Sequence, residues 1–321
     1  MTILLQGDAH KVLKLIPDET VHTCITSPPY WMQRDYGVAG QIGREQTIQE
    51  YLERLWEVFN EVWRVLRVDG TCWINLGDKY HDKCAGLLPE RLAIGMVDRG
   101  WTLRNKIIWH KKSCKPESVK SRFTMDWEPI YFFSKCKNHY FAQQYEPYSP
   151  DTLTRCKQYF DNKESFDPTR HKHDEHDPNQ APFRVLERIA KNLYIPGQTP
   201  NGLHIARANG DCRDVFSKLG RNMRSVWTLP TAQYRGAHFA SWSSKLVSRM
   251  IQAGCPQGGV VLDPFVGSGT TLAVAETFGC SGIGIDICGD YLELSKQRIL
   301  QSRNSRDTEQ DTPNGDSIVR N

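Results

Sequence analysis

An α/β fold interrupted by an insertion is what this sequence predicts, and three observations carry the prediction. Short apolar or β-branched runs close repeatedly on aspartate, at Gly7-Asp8, Gly77-Asp78, Asp263 and Asp286, and helix-length segments follow them. Between residues 145 and about 224 the apolar periodicity weakens and turn formers multiply. The 321 residues suffice for one large α/β domain with a substantial insertion, and 39% hydrophobic with 24% charged residues suits a folded core.

Thr2–Gln6 reads as a strand, followed by a short amphipathic helix with Val12, Leu13 and Ile16 apolar. Asp8 thus sits at a strand's carboxyl end, where open α/β sheets bind ligands. A helix N-cap is the other reading of the same residue. Val21–Ile25 forms a buried strand that runs into Thr26-Ser27-Pro28-Pro29-Tyr30-Trp31. Two prolines remove two backbone donors, stop the strand and hold an extended turn. A hydroxyl, free carbonyls at Ser27 and Pro28 and a stacking ring can grip a planar group with an amino substituent. A mere turn with a packed aromatic is the alternative.

Met32 to Gly37 and Gln41-Ile42-Gly43 look like a mobile loop beside this turn. Thr47 and Glu50 form a capping box that opens a long helix, with Leu52, Leu55, Phe59, Val62 and Leu66 on its core face. Asp69-Gly70 is expected to end it. Thr71–Leu76 is the next strand, Pro89 begins a helix that stops near Gly100, and Trp101–Trp109 is a strand. Pro129–Ser134 and Tyr140-Phe141 suggest a closing antiparallel hairpin. Arg104, Lys106, Lys111, Lys112, Lys115, Lys120 and Arg122 face only Glu117 as acid in their own segment. That run is either a surface for phosphates or a solvated loop.

The polar stretch that follows holds His171-Lys172-His173-Asp174-Glu175-His176, and Arg207, Arg213, Lys218, Arg221 and Arg224 add charge towards its end. Lysine and carboxylates interrupt the histidines, so no metal site is expected there. The compact pattern resumes at Ser225-Val226-Trp227-Thr228, and a helix carries Leu246, Val247, Met250 and Ile251. Gly258–Leu262 is a strand into Asp263, Thr271–Phe278 a helix, Gly282–Ile285 a strand into Asp286, and Tyr291–Leu300 the last helix. The expected boundaries are 1–144 and 225–302 for two halves of one domain, 145–224 for the insertion, and 303–321 for a disordered tail.

A net charge of +4 is mild, so a nucleic-acid surface requires local clustering. No apolar run reaches membrane-spanning length, and Gly7-Asp8 breaks the N-terminal apolar stretch, so neither membrane segment nor signal peptide is expected. Ten scattered cysteines without a C-x-x-C pair read as reduced thiols of a cytoplasmic protein.

Gly267-x-Gly269 between a strand and a helix lets the backbone approach a ligand closely. The turn lacks the third glycine of a dinucleotide fingerprint and the lysine of a phosphate loop. Asp286 ends the next strand, about 20 residues on, where an acid holds ribose hydroxyls; a strand-end cap is the alternative. The first motif, Thr26 to Trp31, together with Asp263-Pro264-Phe265-Val266-Gly267-Ser268-Gly269-Thr270-Thr271, resembles the amino-group DNA methyltransferases. The catalytic motif precedes the cofactor motif, as in that family's β group. Arg34-Asp35-Tyr36-Gly37, Asn75-Leu76-Gly77-Asp78, Ile108-Trp109-His110-Lys111 and Pro116-Glu117-Ser118-Val119 further resemble a bacterial DNA-modification subfamily. After His238-Phe239-Ala240 that subfamily usually has phenylalanine-proline, whereas this chain has Trp242-Ser243.

The resemblance implies a Rossmann-like sheet with permuted motif order, S-adenosylmethionine as cofactor and an inserted target-recognition region. It puts Asp263, Phe265, Gly267 and Gly269 along the methionine part, with Pro264, Ser268 and Thr270 in the same turn, Asp286 at the ribose and Asp8 near the adenine. Ser27, Pro28, Pro29 and Tyr30 become the catalytic turn for a base flipped out of duplex DNA. Arg34, Lys111, Lys112, Lys115, Lys120 and Arg122 become DNA contacts. Serine at the first motif position favours cytosine N4, whereas aspartate or asparagine is commoner for adenine N6. RNA and protein amide methyltransferases share the chemistry but usually place the cofactor motif first and lack the insertion. A homodimer and a cognate restriction endonuclease are further partners consistent with the resemblance.

Overall fold

Most of the expected strands and helices form in the computed structural model, which describes residues 1–114, 116–149, 151, 221–231 and 243–310. Lys115, the His171–His176 cluster, Arg207, Arg213, Lys218, the His238-Phe239-Ala240 segment and Trp242 lie outside the described residues. The first half contains β1 (Thr2–Gln6), α1 (Ala9–Leu13), β2 (Val21–Thr26), α2 (Ile48–Val65), β3 (Leu66–Asn75), β4 (Tyr80–His81), β5 (Cys84–Ala85), α3 (Leu88–Asp98), β6 (Thr102–Lys111) and β7 (Trp127–Ser134). Then follow β8 (Tyr145–Glu146), β9 (Arg221–Asn222), β10 (Val226–Leu229), α4 (Ser244–Gly254), β11 (Val260–Asp263), α5 (Thr270–Thr277), β12 (Ser281–Asp286) and α6 (Gly289–Gln310).

The chain divides into two units, one of Met1–Ala142 with Ser225–Asn321, the other of Gln143–Arg224. In the second unit β8 and β9 pair antiparallel, and Glu146 holds Arg221 at 2.9 Å and Arg224 at 2.6 Å. The first unit is built on an eight-stranded sheet of order β1-β12-β11-β2-β3-β7-β6-β10. Neighbours run parallel except β7, which is antiparallel to both β3 and β6. Helices α1, α2 and α3 pack on one another in one row, and α4, α5 and α6 in a second. Cover on both faces explains why β2 and the later part of β3 are buried almost without interruption.

Three boundaries differ from expectation. Helix α2 begins at the expected capping box but stops at Val65, well before Asp69-Gly70. Leu66 is fully buried as a strand residue opposite Val21, so pairing in the sheet overrides the helical spacing. Tyr140-Phe141 is no strand. The antiparallel partners of β7 are β3 and β6, and Tyr140 N instead donates to the Asp69 carbonyl at 2.9 Å. The last helix continues to Gln310, past the expected start of the tail. Arg303 reaches Glu276 of α5 at 2.5 Å, which ties that start down; residues 311–321 lie outside the described residues.

Candidate active site

β11 and β2 lie parallel, with Leu262 beside Cys24, but the chain leaves β11 towards β12 and β2 towards β3. Strand order reverses between them, and the crevice outside their carboxyl ends is where open sheets bind ligands. Asp263 braces this crevice. It is only 2% exposed and accepts from Thr26 Oγ1 at 2.7 Å, Thr271 Oγ1 at 2.7 Å and the Phe265 amide at 3.1 Å. Burial pushes its carboxyl from 3.8 up to about 6, against the pull of those donors. Its partners join β2 to the glycine turn.

In that turn Gly267 and Gly269 have φ of +51° and +79°, in the left-handed region. A Cβ on Gly269 would lie 2.7 Å from Ser295 Cα. Ser295 Oγ donates to the Gly267 carbonyl at 2.6 Å, and Arg298 donates to the hydroxyls of Ser268 and Thr270 at 3.0 and 2.5 Å. Helix α6 thus fixes the turn from behind. Pro264 is buried and Phe265 half-buried beside it.

Asp286, at the end of β12, accepts from the amides of Gly267 and Cys288, both at 2.9 Å. Burial raises its carboxyl above the usual range, and these amides pull the other way. Tyr36 meets Tyr291 edge to face at 5.8 Å. Asp8 caps α1 by accepting from Lys11 N at 3.1 Å and pairs with Arg54 at 3.5 Å, so its N-cap reading holds. Close glycine backbone, a half-buried carboxylate and an aromatic pair fit a nucleoside joined to an amino acid.

Ser27 follows the last ladder pair of β2 and β3, Thr26 with Ile74. Pro28 is buried, Ser27 and Pro29 are half-buried, and Tyr51 Oη donates to the Pro29 carbonyl at 2.9 Å. Tyr30 is clamped. Its hydroxyl donates to Glu128 Oε2 at 3.1 Å and lies 3.4 Å from Asn75 Oδ1. Asn75 is fixed by donating to the Pro129 carbonyl at 3.2 Å. A Cβ on Gly77 would lie 2.5 Å from Tyr30 Cε2, so the ring rests directly on that backbone. Burial, with the Glu128 charge behind it, raises the Tyr30 phenol well above its usual range.

The loop after Trp31, expected to be mobile, is stitched to its surroundings. Gln41 bonds Tyr36 N at 2.7 Å and the Arg34 carbonyl at 3.1 Å, and Arg54 donates to the Gly40 carbonyl at 2.7 Å. Arg34 itself is half-buried in this loop. The basic run also differs from expectation, because carboxylates pair with part of it, two of them from outside the segment. Lys106 pairs with Glu90 at 2.6 Å, Lys111 with Glu128, and Arg122 with Glu117 at 2.7 Å. Lys112 and Lys120 remain exposed. The site residues that sequence reasoning missed are Glu128, Asn75, Gly77 and Tyr51. Only the Asn75–Asp78 stretch carried a local signal for any of them.

The family described as DNA methylase, of N6 and N4 methyltransferases, matches residues 21–297. The chain belongs to that family. The Type II methyltransferase M.SmaI of Serratia marcescens is 31% identical over 329 residues, covering 94% of this chain and 91% of its own. M.SfiI of Streptomyces fimbriatus is 28% identical over 378 residues, covering 90% and 89%. Among solved structures, the cytosine-N4-specific PvuII DNA methyltransferase superposes with a TM-score of 0.60 at 17% identity, covering 94% of this chain and 91% of that one. A putative DNA modification methylase of Thermus thermophilus, TTHA0409, complexed with S-adenosyl-L-methionine, gives 0.56 at 22% identity, covering 94% and 96%. The sheet of this DNA methylase is therefore the Rossmann-like methyltransferase sheet, entered in permuted order. Family membership makes S-adenosylmethionine its cofactor.

Proposed function

We propose that this DNA methylase methylates the exocyclic N4 amine of cytosine in duplex DNA, as the modification enzyme of a restriction-modification system in the cytoplasm. The observation that carries the reading is Ser27, set at the end of β2 beside the switch point, with Tyr30 clamped three residues on. A duplex base reaches such a turn only by flipping out. Ser27 Oγ and the Pro28 carbonyl accept the amine hydrogens and aim the nitrogen lone pair. Tyr30 offers its face to the flipped ring. Asp286 holds the ribose hydroxyls, and the backbone of Gly267 and Gly269 lies along the amino-acid end. When bound, S-adenosylmethionine supplies an electrophilic methyl group. Alignment provides the acceleration, and no side-chain nucleophile takes part.

The Type II relatives support the restriction-modification setting, and the cytosine-N4-specific structural neighbour agrees with the serine. The Gln143–Arg224 unit takes the role of target recognition in this reading. The competing outcome is adenine N6, since the family covers both amines. Nucleoside mass spectrometry of DNA methylated in vitro separates them: N4-methylcytosine is expected, and N6-methyladenine alone would overturn the assignment. Methylome sequencing of expressing cells then returns the recognised site.

A further inference from the structure

The loop joining β6 to β7 carries Phe123, whose side chain is 96% exposed. An aromatic ring left in water forgoes a large favourable burial, and a single such ring is common on surfaces. This one is presented on a built support. Arg122 donates to the Phe123 carbonyl at 3.0 Å and to Glu117 at 2.7 Å, and its guanidinium lies 4.1 Å over the Tyr80 ring. The arginine expected to meet phosphate is therefore spent on holding the loop tip.

The same contacts lead to the catalytic turn. His81, next to Tyr80, faces the Trp31 ring at 6.2 Å, and Trp31 adjoins Tyr30. Glu128, five residues after Phe123, accepts from the Tyr30 hydroxyl. At about 3.3–3.6 Å per residue, Phe123 stays within about 18 Å of Glu128. Lys112 and Lys120 are exposed in the same loop and suit a polyanion.

We infer that Phe123 is a wedge that enters the base stack of duplex DNA beside the target nucleotide and fills the gap left when that nucleotide flips out. The inference rests on the base-flipping reading above. An apolar side chain inserted between base steps replaces stacking that extrusion removes, and flanking cations hold the backbone while it does so. The ring then acts on the extrusion step, not on the chemistry. Its contribution vanishes when the target is already unpaired.

The test compares the full-length wild type with Phe123→Ala and Phe123→Leu on a duplex carrying the site found by methylome sequencing. Single-turnover methylation is measured on the matched duplex and on one whose target base is mispaired, with 2-aminopurine beside the target reporting extrusion. Phe123→Ala should slow the matched duplex by about tenfold or more, yet stay within about twofold of wild type on the mispaired one. The leucine variant should fall between, and S-adenosylmethionine affinity should not change. Equal losses on both duplexes, or no loss, overturn the wedge. A loss accompanied by a shift from dimer to monomer in sedimentation overturns it in favour of a second copy of the chain. If Tyr30→Ala leaves methylation intact, the base-stacking reading fails. If Tyr30→Ala is impaired while Phe123→Ala is not, the wedge fails alone.

Discussion

Glu128 and Asp263 are the two carboxylates that hold the proposed catalytic turn, through Tyr30 and Thr26, and they differ in how they could be read. Asp263 closes a strand before a glycine turn, a pattern visible in sequence, although its role as a brace on Thr26 and Thr271 is not. Glu128 carried no local signal, because its partners Tyr30 and Lys111 lie 98 and 17 residues away. If Glu128 orients the stacking ring through its hydroxyl, Tyr30→Phe and Glu128→Gln should each lower kcat, at a cost of about 1–3 kcal/mol. The double variant should cost little more than either single one, and KM for S-adenosylmethionine should stay put. Additive losses in that cycle would show that the two side chains act separately.

Asp263 makes a pH prediction. Its folded value of about 6 exceeds its ordinary 3.8, so the folded state binds this proton more tightly. The stability it contributes is full below about 3.8 and is lost as pH rises through about 6, on the order of 3 kcal/mol in all. Asp263→Asn removes this dependence. Urea denaturation between about pH 4.5 and about pH 7.5 should show the wild type losing stability relative to the variant as pH rises. A constant difference across that window would mean that the carboxyl keeps its ordinary affinity for protons.

At the scale of elements, local chemistry announced starts better than ends. The capping box at Thr47 and Glu50 forms as read, because both of its hydrogen bonds lie within three residues. The end of α2 was not legible, since Leu66 is claimed by a strand from far earlier in the chain. Packing between helices was hidden in the same way. Gly95 of α3 has no turn to make. A Cβ there would lie 2.3 Å from the Trp56 ring of α2, which donates to the Leu92 carbonyl at 3.3 Å and carries Arg99 at 4.2 Å. Gly95→Ala gains about 1 kcal/mol of helix propensity but meets an overpacking cost of about 1–3 kcal/mol. A net loss of about 1 kcal/mol in thermal unfolding is expected, with methylation unchanged at permissive temperature. Stabilisation would mean that the indole moves aside freely.

For the whole molecule, a net charge of +4 says little about where DNA lies, and the sequence pattern of cations said too much. Lys106 and Lys111 looked like phosphate contacts only because Glu90 and Glu128 lie outside their segment, whereas Arg122 is answered by Glu117 within it. The strand insertion that brings Glu128 to Lys111, β7 between β3 and β6, is a topological fact with no local sequence signature. Among the described residues, the free positive charge of this loop therefore rests on Lys112 and Lys120. Each phosphate contact releases condensed counterions, so log affinity falls against log salt with a slope of about 0.9 per contact. Replacing Lys112 and Lys120 by alanine together should flatten that slope by about 1.8 if both engage the backbone. Lys106→Ala should leave the slope as it is, because its charge is already answered by Glu90. Fluorescence anisotropy of the full-length protein on a labelled duplex across a salt series measures both. An unchanged slope in the double variant would move the DNA path away from this loop, whereas a flattened slope for Lys106→Ala would mean that the Glu90 pair opens on binding.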